Sequence, residues 1–256
     1  MRDDNTGITD DAILGGRLRL LQPERGHRFG HDAVLLAAAV PAQPGQRIAE
    51  FGAGVGAASL ALLSRLPRLE ATLIEFNDAL CDLAGRNIAR NGFSECARVA
   101  SLDVTAPDRD FLAAGVTAAS FDHVVMNPPF NDASHQGSPI LDRKIAHRGE
   151  GLSQWIVSAH KLLKPAGHVS VIWRADGLAD VLSAMATGFG AISVFPIYPA
   201  PRKPAIRIIA VASKGSRAPA LLMPPLFLND DQRRPTIEAE AILRDGGPLA
   251  DGKTTR

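Results

Sequence analysis

Two kinds of segment alternate through most of the chain, as judged from the spacing of its apolar residues. Short apolar runs are typical of buried strands, and longer segments with apolar residues three or four apart are typical of helices. Strands are predicted at 47–51, 71–76, 99–104, 121–126, 169–173, 191–196 and 206–212. Helices are predicted at 33–39, 56–66, 78–91, 151–163 and 178–186. This alternation predicts an α/β fold with a mostly parallel sheet and helices on both faces.

The two ends of the chain depart from this pattern. A short alternating run at 17–22 predicts a hairpin strand inside an N-terminal extension of residues 1–30. The alternating strands and helices define one domain at 31–213, and a linker-like segment begins at 213. Residues 214–256 are predicted to form a tail that docks on the core, with a helix near 237–243 and a disordered end at 251–256.

Composition and charge narrow the class of protein. The chain has 28 basic and 27 acidic side chains, a balance that argues against a generic nucleic-acid binder but leaves room for local basic patches. Its two cysteines, Cys81 and Cys96, give neither a disulfide framework nor a CxxC motif. No apolar run reaches the roughly 20 residues of a membrane helix, and residues 1–11 are unlike a signal peptide. We therefore expect a cytoplasmic protein, and the sequence supplies no cluster of metal ligands.

A glycine-rich turn joins the first strand of the domain to its first helix, with the sequence Glu50-Phe51-Gly52-Ala53-Gly54-Val55-Gly56. Glycines at this position let the backbone approach a ligand at the positive end of a helix. Glu75, at the end of the next strand, has the offset of a carboxylate that binds a ribose. Together they predict an adenosine-containing cofactor without saying which one, and a tight turn without a ligand is the alternative.

Two further carboxylates favour S-adenosylmethionine. Glu50 precedes the glycines, where it suits the cationic amino-acid end of that cofactor better than a pyrophosphate. Asp103, at the end of the third strand, is placed to accept a hydrogen bond from the adenine amino group. An aspartate at the end of a strand, such as Asp103, is as often a turn former or a helix cap.

The most specific feature is Asn127-Pro128-Pro129-Phe130, which ends the apolar run 121–126. Proline cannot donate to a sheet ladder, so the strand stops here and the following side chains project beyond its carboxyl end. The Asn127 side-chain oxygen and the Pro128 carbonyl are two acceptors for a planar amino group, and Phe130 offers a face for stacking. The alternative is that the prolines only end the strand and Phe130 packs in the core.

The glycine-rich turn, Glu75, Asp103 and Asn127–Phe130 follow one another in this order on successive strand ends. In this they resemble the class I S-adenosylmethionine-dependent methyltransferases with the N/D-P-P-Y/F motif, over about residues 28–212. The resemblance implies a Rossmann-like seven-stranded sheet whose last strand is antiparallel. It implies a catalytic set of Asn127, Pro128, Pro129 and Phe130. It implies cofactor contacts from Glu50, Gly52, Ala53, Gly54, Gly56, Glu75, Phe76, Asp103, Val104, Asn127 and Asp32.

The segment Arg28–Leu36 resembles the corresponding segment of bacterial tRNA adenine-N6 methyltransferases that act on valine tRNA. It has His31 where they have threonine, and Phe130 where tyrosine is commoner. The resemblance implies transfer of a methyl group to the exocyclic N6 of an adenine in tRNA. Guanine-N2 methylation of ribosomal RNA and N5 methylation of protein glutamine remain open, as do a nicotinamide-dependent oxidoreductase and a cofactor-binding protein without activity.

Three basic groups are candidates for contact with RNA phosphates, and solvated surface charge is the alternative for each residue. They are Arg17, Arg19, Arg25 and Arg28 near the N-terminus, Arg143, Lys144, His147 and Arg148 after the motif, and Arg202, Lys203 and Arg207 near the last strands. Asp32 has two interpretations, as a cofactor contact or as the N-cap of the helix that follows it.

Overall fold

The computed structural model describes residues 7–25, 28–129 and 148–249, with 148–150 described by their backbone alone. The helices are α1 (His31–Ala39), α2 (Ala57–Arg65), α3 (Asp78–Arg90), α4 (Asp108–Ala113), α5 (Arg148–Leu162), α6 (Leu178–Met185) and α7 (Ile237–Leu243). The strands are β1 (Ile8–Ile13), β2 (Leu18–Pro23), β3 (Arg47–Phe51), β4 (Glu70–Glu75), β5 (Ala97–Ser101), β6 (Phe121–Met126), β7 (Leu163–Arg174), β8 (Phe189–Tyr198), β9 (Arg207–Lys214), β10 (Leu221–Leu222) and β11 (Leu226–Phe227).

A mostly parallel sheet forms the centre of the molecule, with the strand order β10-β8-β9-β7-β6-β3-β4-β5 and with β11 also paired to β8. Strand β9 runs antiparallel to both of its neighbours, β7 and β8. The α/β fold and its antiparallel last strand are therefore confirmed. Among the described residues, the two short strands β10 and β11 extend the seven expected strands to nine.

Helices cover both faces of this sheet. Helices α1, α2 and α3 supply buried side chains to the cluster on one face, and α4, α5 and α6 supply those of the other. Ile48, Ala49 and Phe51 on β3 are fully buried. Since successive strand residues point to opposite faces, burial on both sides explains why the strands are continuous apolar runs in the sequence.

Two strand boundaries differ from the sequence-based prediction by three residues or more. Strand β5 ends at Ser101 rather than near residue 104, because Asp103 forms a turn in which it accepts hydrogen bonds from Thr105. Strand β7 begins at Leu163, although its first residues read as a turn. The register between β6 and β7 shifts at this point, and such a bulge accommodates a proline that cannot donate to the ladder.

The first helix of the domain also begins earlier than predicted. Gly30 is the N-cap of α1, so Asp32 lies inside the first turn and the interpretation of Asp32 as the N-cap is wrong. Strand β1 and helix α4 were not predicted. Each is short and carries acidic residues that obscure its periodicity.

The β1–β2 hairpin docks on α3 through two asparagines one helical turn apart. Asn87 accepts a hydrogen bond from the Leu21 amide at 2.7 Å and donates to the Leu21 carbonyl at 2.9 Å. Asn91 pairs in the same way with the amide and carbonyl of Arg19. The two side-chain amides thus replace a neighbouring strand for β2.

The tail lies on the helical face that carries α1. Helix α7 contacts α1, Ile242 is buried, and the Leu249 amide donates to the Ala38 carbonyl. Over the residues described here, no helix has the length and apolar character needed to cross a membrane.

Candidate active site

Three predicted site residues leave the sheet side by side because of the strand register. Phe51 is the register partner of both Ile74 and Met126. The next residue on each strand therefore lies one step beyond a common level, and adjacent strands are about 4.8 Å apart. These three neighbours are Glu75, Gly52 and Asn127.

These three residues also lie where the order in which strands are added to the sheet reverses. From β3 the chain moves outward through β4 and β5, and it then returns to the other side of β3 as β6. The helices that follow β3 and β6 lie on opposite faces, which opens a crevice at the carboxyl ends of the two strands. Open α/β sheets bind their ligands at such a point.

The glycine turn is held in place by backbone and side-chain hydrogen bonds. Gly52, Gly54 and Gly56 have φ values of 60°, 56° and 88°, in the left-handed region that favours glycine. The Ala53 amide donates to the Ile74 carbonyl at 3.0 Å, and the Gly56 amide donates to Ala53 at 2.8 Å. A Cβ on Gly52 would lie 2.6 Å from the Trp155 ring of α5. Sequence reasoning missed Trp155, since only its helical spacing was visible.

The Glu75 carboxylate accepts hydrogen bonds both from the glycine turn and from the two residues that follow it in the chain. One carboxylate oxygen accepts the Gly54 amide at 2.9 Å, and the other accepts the amides of Phe76 at 3.0 Å and Asn77 at 2.9 Å. A carboxylate offers about four acceptor positions, so these bonds leave room for a further donor. Asn77 in turn caps α3 by accepting from Ala79 and Leu80.

Glu50 belongs to β3, directly before the turn, and its carboxylate reaches the start of α2. Its side chain is 5% exposed and accepts the Ser59 amide at 2.8 Å. Burial raises the pKa of Glu50 to about 7, while hydrogen bonds from Ser59 and the Ala58 backbone oppose the rise and the nearby Glu75 adds to it. A cation bound above the turn would favour the ionised form.

Phe76 directly follows Glu75 in the chain and is 57% exposed. An exposed aromatic face at a ligand-binding edge suits a stacked adenine. Asp103 and Val104 follow β5 on the same side of the site. Asp103 accepts both the Thr105 amide and hydroxyl through one oxygen, as a turn former does, and Val104 is buried.

Asn127 begins the segment on the other side of the glycine turn. It is half-buried, Pro128 is buried and Pro129 is exposed. No hydrogen bond of the Asn127 side chain is recorded among the described residues, so its amide oxygen is available there as an acceptor. Phe130 lies outside the described residues, as do Arg143, Lys144 and His147, and the side chain of Arg148 is likewise not described.

Asp32 lies away from the glycine turn, on the side of β6 that carries β7 and β9. It accepts a hydrogen bond from Arg207 of β9 at 2.8 Å. Its contact with the cofactor remains a prediction, as do the roles of the other candidate residues that the structure describes.

Comparison with known proteins identifies the family. Residues 27–195 match the sequence profile of the family described as the methyltransferase small domain. The chain belongs to this family. The match covers the glycine turn, both carboxylates of the site and Asn127, and it confirms the prediction of a class I S-adenosylmethionine-dependent methyltransferase.

Individual methyltransferases match at modest identity. A tRNA1(Val) (adenine(37)-N6)-methyltransferase of Porphyromonas gingivalis is 31% identical over 166 residues, covering 62% of this chain and 64% of that protein. An enzyme with the same description from Vibrio campbellii is 24% identical over 194 residues, covering 75% of this chain and 77% of that protein. The crystal structure of a protein described as a predicted O-methyltransferase of Agrobacterium tumefaciens is 29% identical, covers 86% of this chain and 98% of its own, and has a TM-score of 0.73. The chain thus spans about 64% of the length of the Porphyromonas relative.

The residues of this methyltransferase fit S-adenosylmethionine in charge and shape. The left-handed glycines keep side chains away from the turn, Phe76 offers an open face, and the buried Glu50 suits a cationic group. When bound, this cofactor supplies an electrophilic methyl group. No group of three His, Cys, Asp or Glu side chains forms a metal site within the described ranges.

Proposed function

We propose that this methyltransferase transfers a methyl group to the exocyclic N6 of an adenine in a tRNA. The observation that carries the proposal is Asn127, whose amide is free of described hydrogen bonds and leaves β6 next to Gly52 of the cofactor turn. The tRNA adenine-N6 activity named for the Porphyromonas and Vibrio relatives supports the choice of substrate.

The chemistry requires that a weak nucleophile be oriented. The lone pair of an adenine amino group is delocalised into the ring, so the nitrogen attacks poorly without help. The Asn127 side-chain oxygen and the Pro128 carbonyl would each accept one amino hydrogen, which holds the nitrogen towards the glycine turn and returns electron density to it. Such placement can lower a barrier by as much as about 7–11 kcal/mol in favourable cases.

No strong base is needed in this scheme. The amino group becomes acidic once it carries the methyl group, so its proton can pass to water. A hydroxyl acceptor would need a base to activate it. This difference favours nitrogen over oxygen as the acceptor at a site built around an amide and a carbonyl.

The test is methyl transfer from labelled S-adenosylmethionine to total tRNA, followed by mass spectrometry of the nucleosides. We expect N6-methyladenosine with the wild-type protein and at least about a hundredfold less with Asn127→Ala, since removal of one preorganised hydrogen-bonding group from a reaction site, measured for oxyanion-hole donors, costs about 2.7–4 kcal/mol. Calorimetry should show that Asn127→Ala still binds S-adenosylmethionine, which separates loss of chemistry from loss of folding.

Other products would reject the proposal in distinct ways. N2-methylguanosine would indicate a guanine target, label in protein would indicate a glutamine target, and an O-methylated nucleoside would indicate a hydroxyl acceptor. Full turnover by Asn127→Ala would remove Asn127 from the mechanism.

A further inference from the structure

The described candidate cations differ in how closely a carboxylate pairs with them. Near the N-terminus, Arg19 pairs with Asp10 and Arg28 with Asp11. On β9, Arg207 pairs with Asp32. These partners already neutralise Arg19, Arg28 and Arg207.

The loop between β8 and β9 carries cations without such a close carboxylate partner. Its sequence begins Pro199-Ala200-Pro201-Arg202-Lys203. The Lys203 amide donates to the Ala200 carbonyl and closes a four-residue turn. Pro201 is its second residue, and Arg202 is its third, with φ of 62°. A positive φ at the third position is the mark of a type II turn, where glycine is strongly preferred.

A second turn lies beside it and also contains an arginine with a positive φ, at a different position. The Arg233 amide donates to the Asp230 carbonyl, so Arg233 is the fourth residue of this turn, and its φ is 63°. The two turns are joined because both the amide and the side chain of Asn229 donate to the Pro199 carbonyl. Each turn therefore has an arginine in the left-handed backbone conformation that glycine adopts most readily.

These arginines are accessible and poorly neutralised. Arg202 is 88% exposed, and its closest carboxylate is Asp231 at 3.9 Å. For Arg233 and Lys203, both exposed, no ion pair is recorded with any described residue. A strained backbone that carries an exposed charge indicates a requirement other than stability.

Their place in the fold connects them to the target side of the site. Strand β8 runs parallel to β7 and β6, so the loop after it lies at the same edge as Asn127. Three strand spacings separate β6 from β8, or about 14 Å. The predicted cofactor residues lie in the opposite direction, on β3, β4 and β5.

From this placement, we infer that the two arginine turns form a phosphate-binding surface for the RNA that presents its base to Asn127. The surface consists of Arg202, Lys203 and Arg233. The inference rests on the proposed function and adds to it the direction in which the RNA leaves the site, over β7, β9 and β8 and away from the cofactor. Phosphate contacts of this kind position a nucleic acid without reading its sequence.

The chain offers a matched control. Arg68 is also exposed and has φ of 61°, but it precedes β4 and therefore lies at the opposite edge of the sheet. Replacing any of the three arginines with glycine removes one charge and the same backbone strain. Only Arg202 and Arg233 should affect RNA.

The experiment measures binding of total tRNA to the full chain by fluorescence anisotropy over a range of salt, together with thermal melting. The double variant R202G/R233G should lower the slope of log affinity against log salt by about two, so that wild type loses about tenfold more affinity than the variant between about 50 and about 200 mM salt. The R68G variant should bind as wild type does. Melting temperatures of both variants should not fall, since glycine favours these backbone angles.

The possible results separate the inference from the proposed function. Wild-type slope and affinity in R202G/R233G, with N6-methyladenosine still formed, would overturn the inference and leave the function intact. Absence of tRNA binding and methylation by the wild-type protein would overturn both. Should the double variant melt early, Lys203→Gln tests the same surface without altering either turn, and an unchanged slope would again reject it.

Discussion

Glu50 should make the protein less stable as the pH rises, and Glu50→Gln should remove this effect. Burial raises its pKa from the ordinary 4.5 to about 7. Between these two values the folded protein holds a proton that the unfolded chain releases, so the free energy of unfolding falls as the pH rises through this range. One pKa unit corresponds to about 1.4 kcal/mol, which gives a total loss of about 3 kcal/mol by pH 8.

The side-chain amide introduced by Glu50→Gln would stay neutral at every pH and would still offer an oxygen to the Ser59 amide. We therefore expect Glu50→Gln to match wild type near pH 4.5 and to exceed its free energy of unfolding by up to about 3 kcal/mol at pH 8. The same variant should bind S-adenosylmethionine more weakly, because it loses the carboxylate that we expect to face the cationic end of the cofactor. Stability and ligand binding would thus change in opposite directions.

The assay is urea unfolding followed by tryptophan fluorescence, for both proteins at several pH values between about 4.5 and 8. Glu70→Gln is the matched control, since Glu70 begins β4 with its side chain 64% exposed. Its difference from wild type should not change with pH. A constant difference for Glu50→Gln, or one that shrinks as the pH rises, would refute the reasoning.

Two other predictions concern a buried histidine and an exposed phenylalanine. Burial, assisted by the nearby His168, lowers the pKa of His123 to about 4, so wild type should lose about 3 kcal/mol of unfolding free energy as the pH falls from 6.5 to 4. His123→Gln should remove this loss in urea unfolding, and an equal loss in the variant would contradict it. Phe76→Ala should weaken S-adenosylmethionine binding by about tenfold in calorimetry, with an unchanged melting temperature, because its ring is largely exposed and we expect it to stack on the adenine. An unchanged affinity would exclude stacking on Phe76.

The parts of the site that the sequence predicts best are those fixed by local chemistry. Strands β3 and β6 have the predicted bounds, because each is an apolar run ended by residues that cannot continue it. The glycine turn follows for the same reason, since its left-handed angles exclude most other residues. Parallel pairing then places Gly52 beside Asn127 without further information.

What the sequence does not show depends on partners distant in the chain. The bulge at the start of β7 accommodates Pro165 against a shifted β6, and a single strand cannot reveal such a register. Trp155 and Gly52 are separated by about a hundred residues, so their close approach has no local signal. The pairing of Asp32 with Arg207 is hidden for the same reason.

The hairpin illustrates how such distant contacts can join the two sides of the site. Asn87 binds Leu21 of the hairpin and also donates to the Val55 carbonyl at 3.1 Å, inside the glycine turn. The adjacent residue Gln22, buried on the same strand, accepts the Phe29 amide at 3.1 Å just before α1. Since α1 carries Asp32 towards β9, hydrogen bonds and short covalent stretches of backbone connect the glycine turn to β9 through the hairpin. A hairpin outside the main sheet therefore contacts elements on both sides of β3, although neither of its strands contributes a predicted catalytic residue.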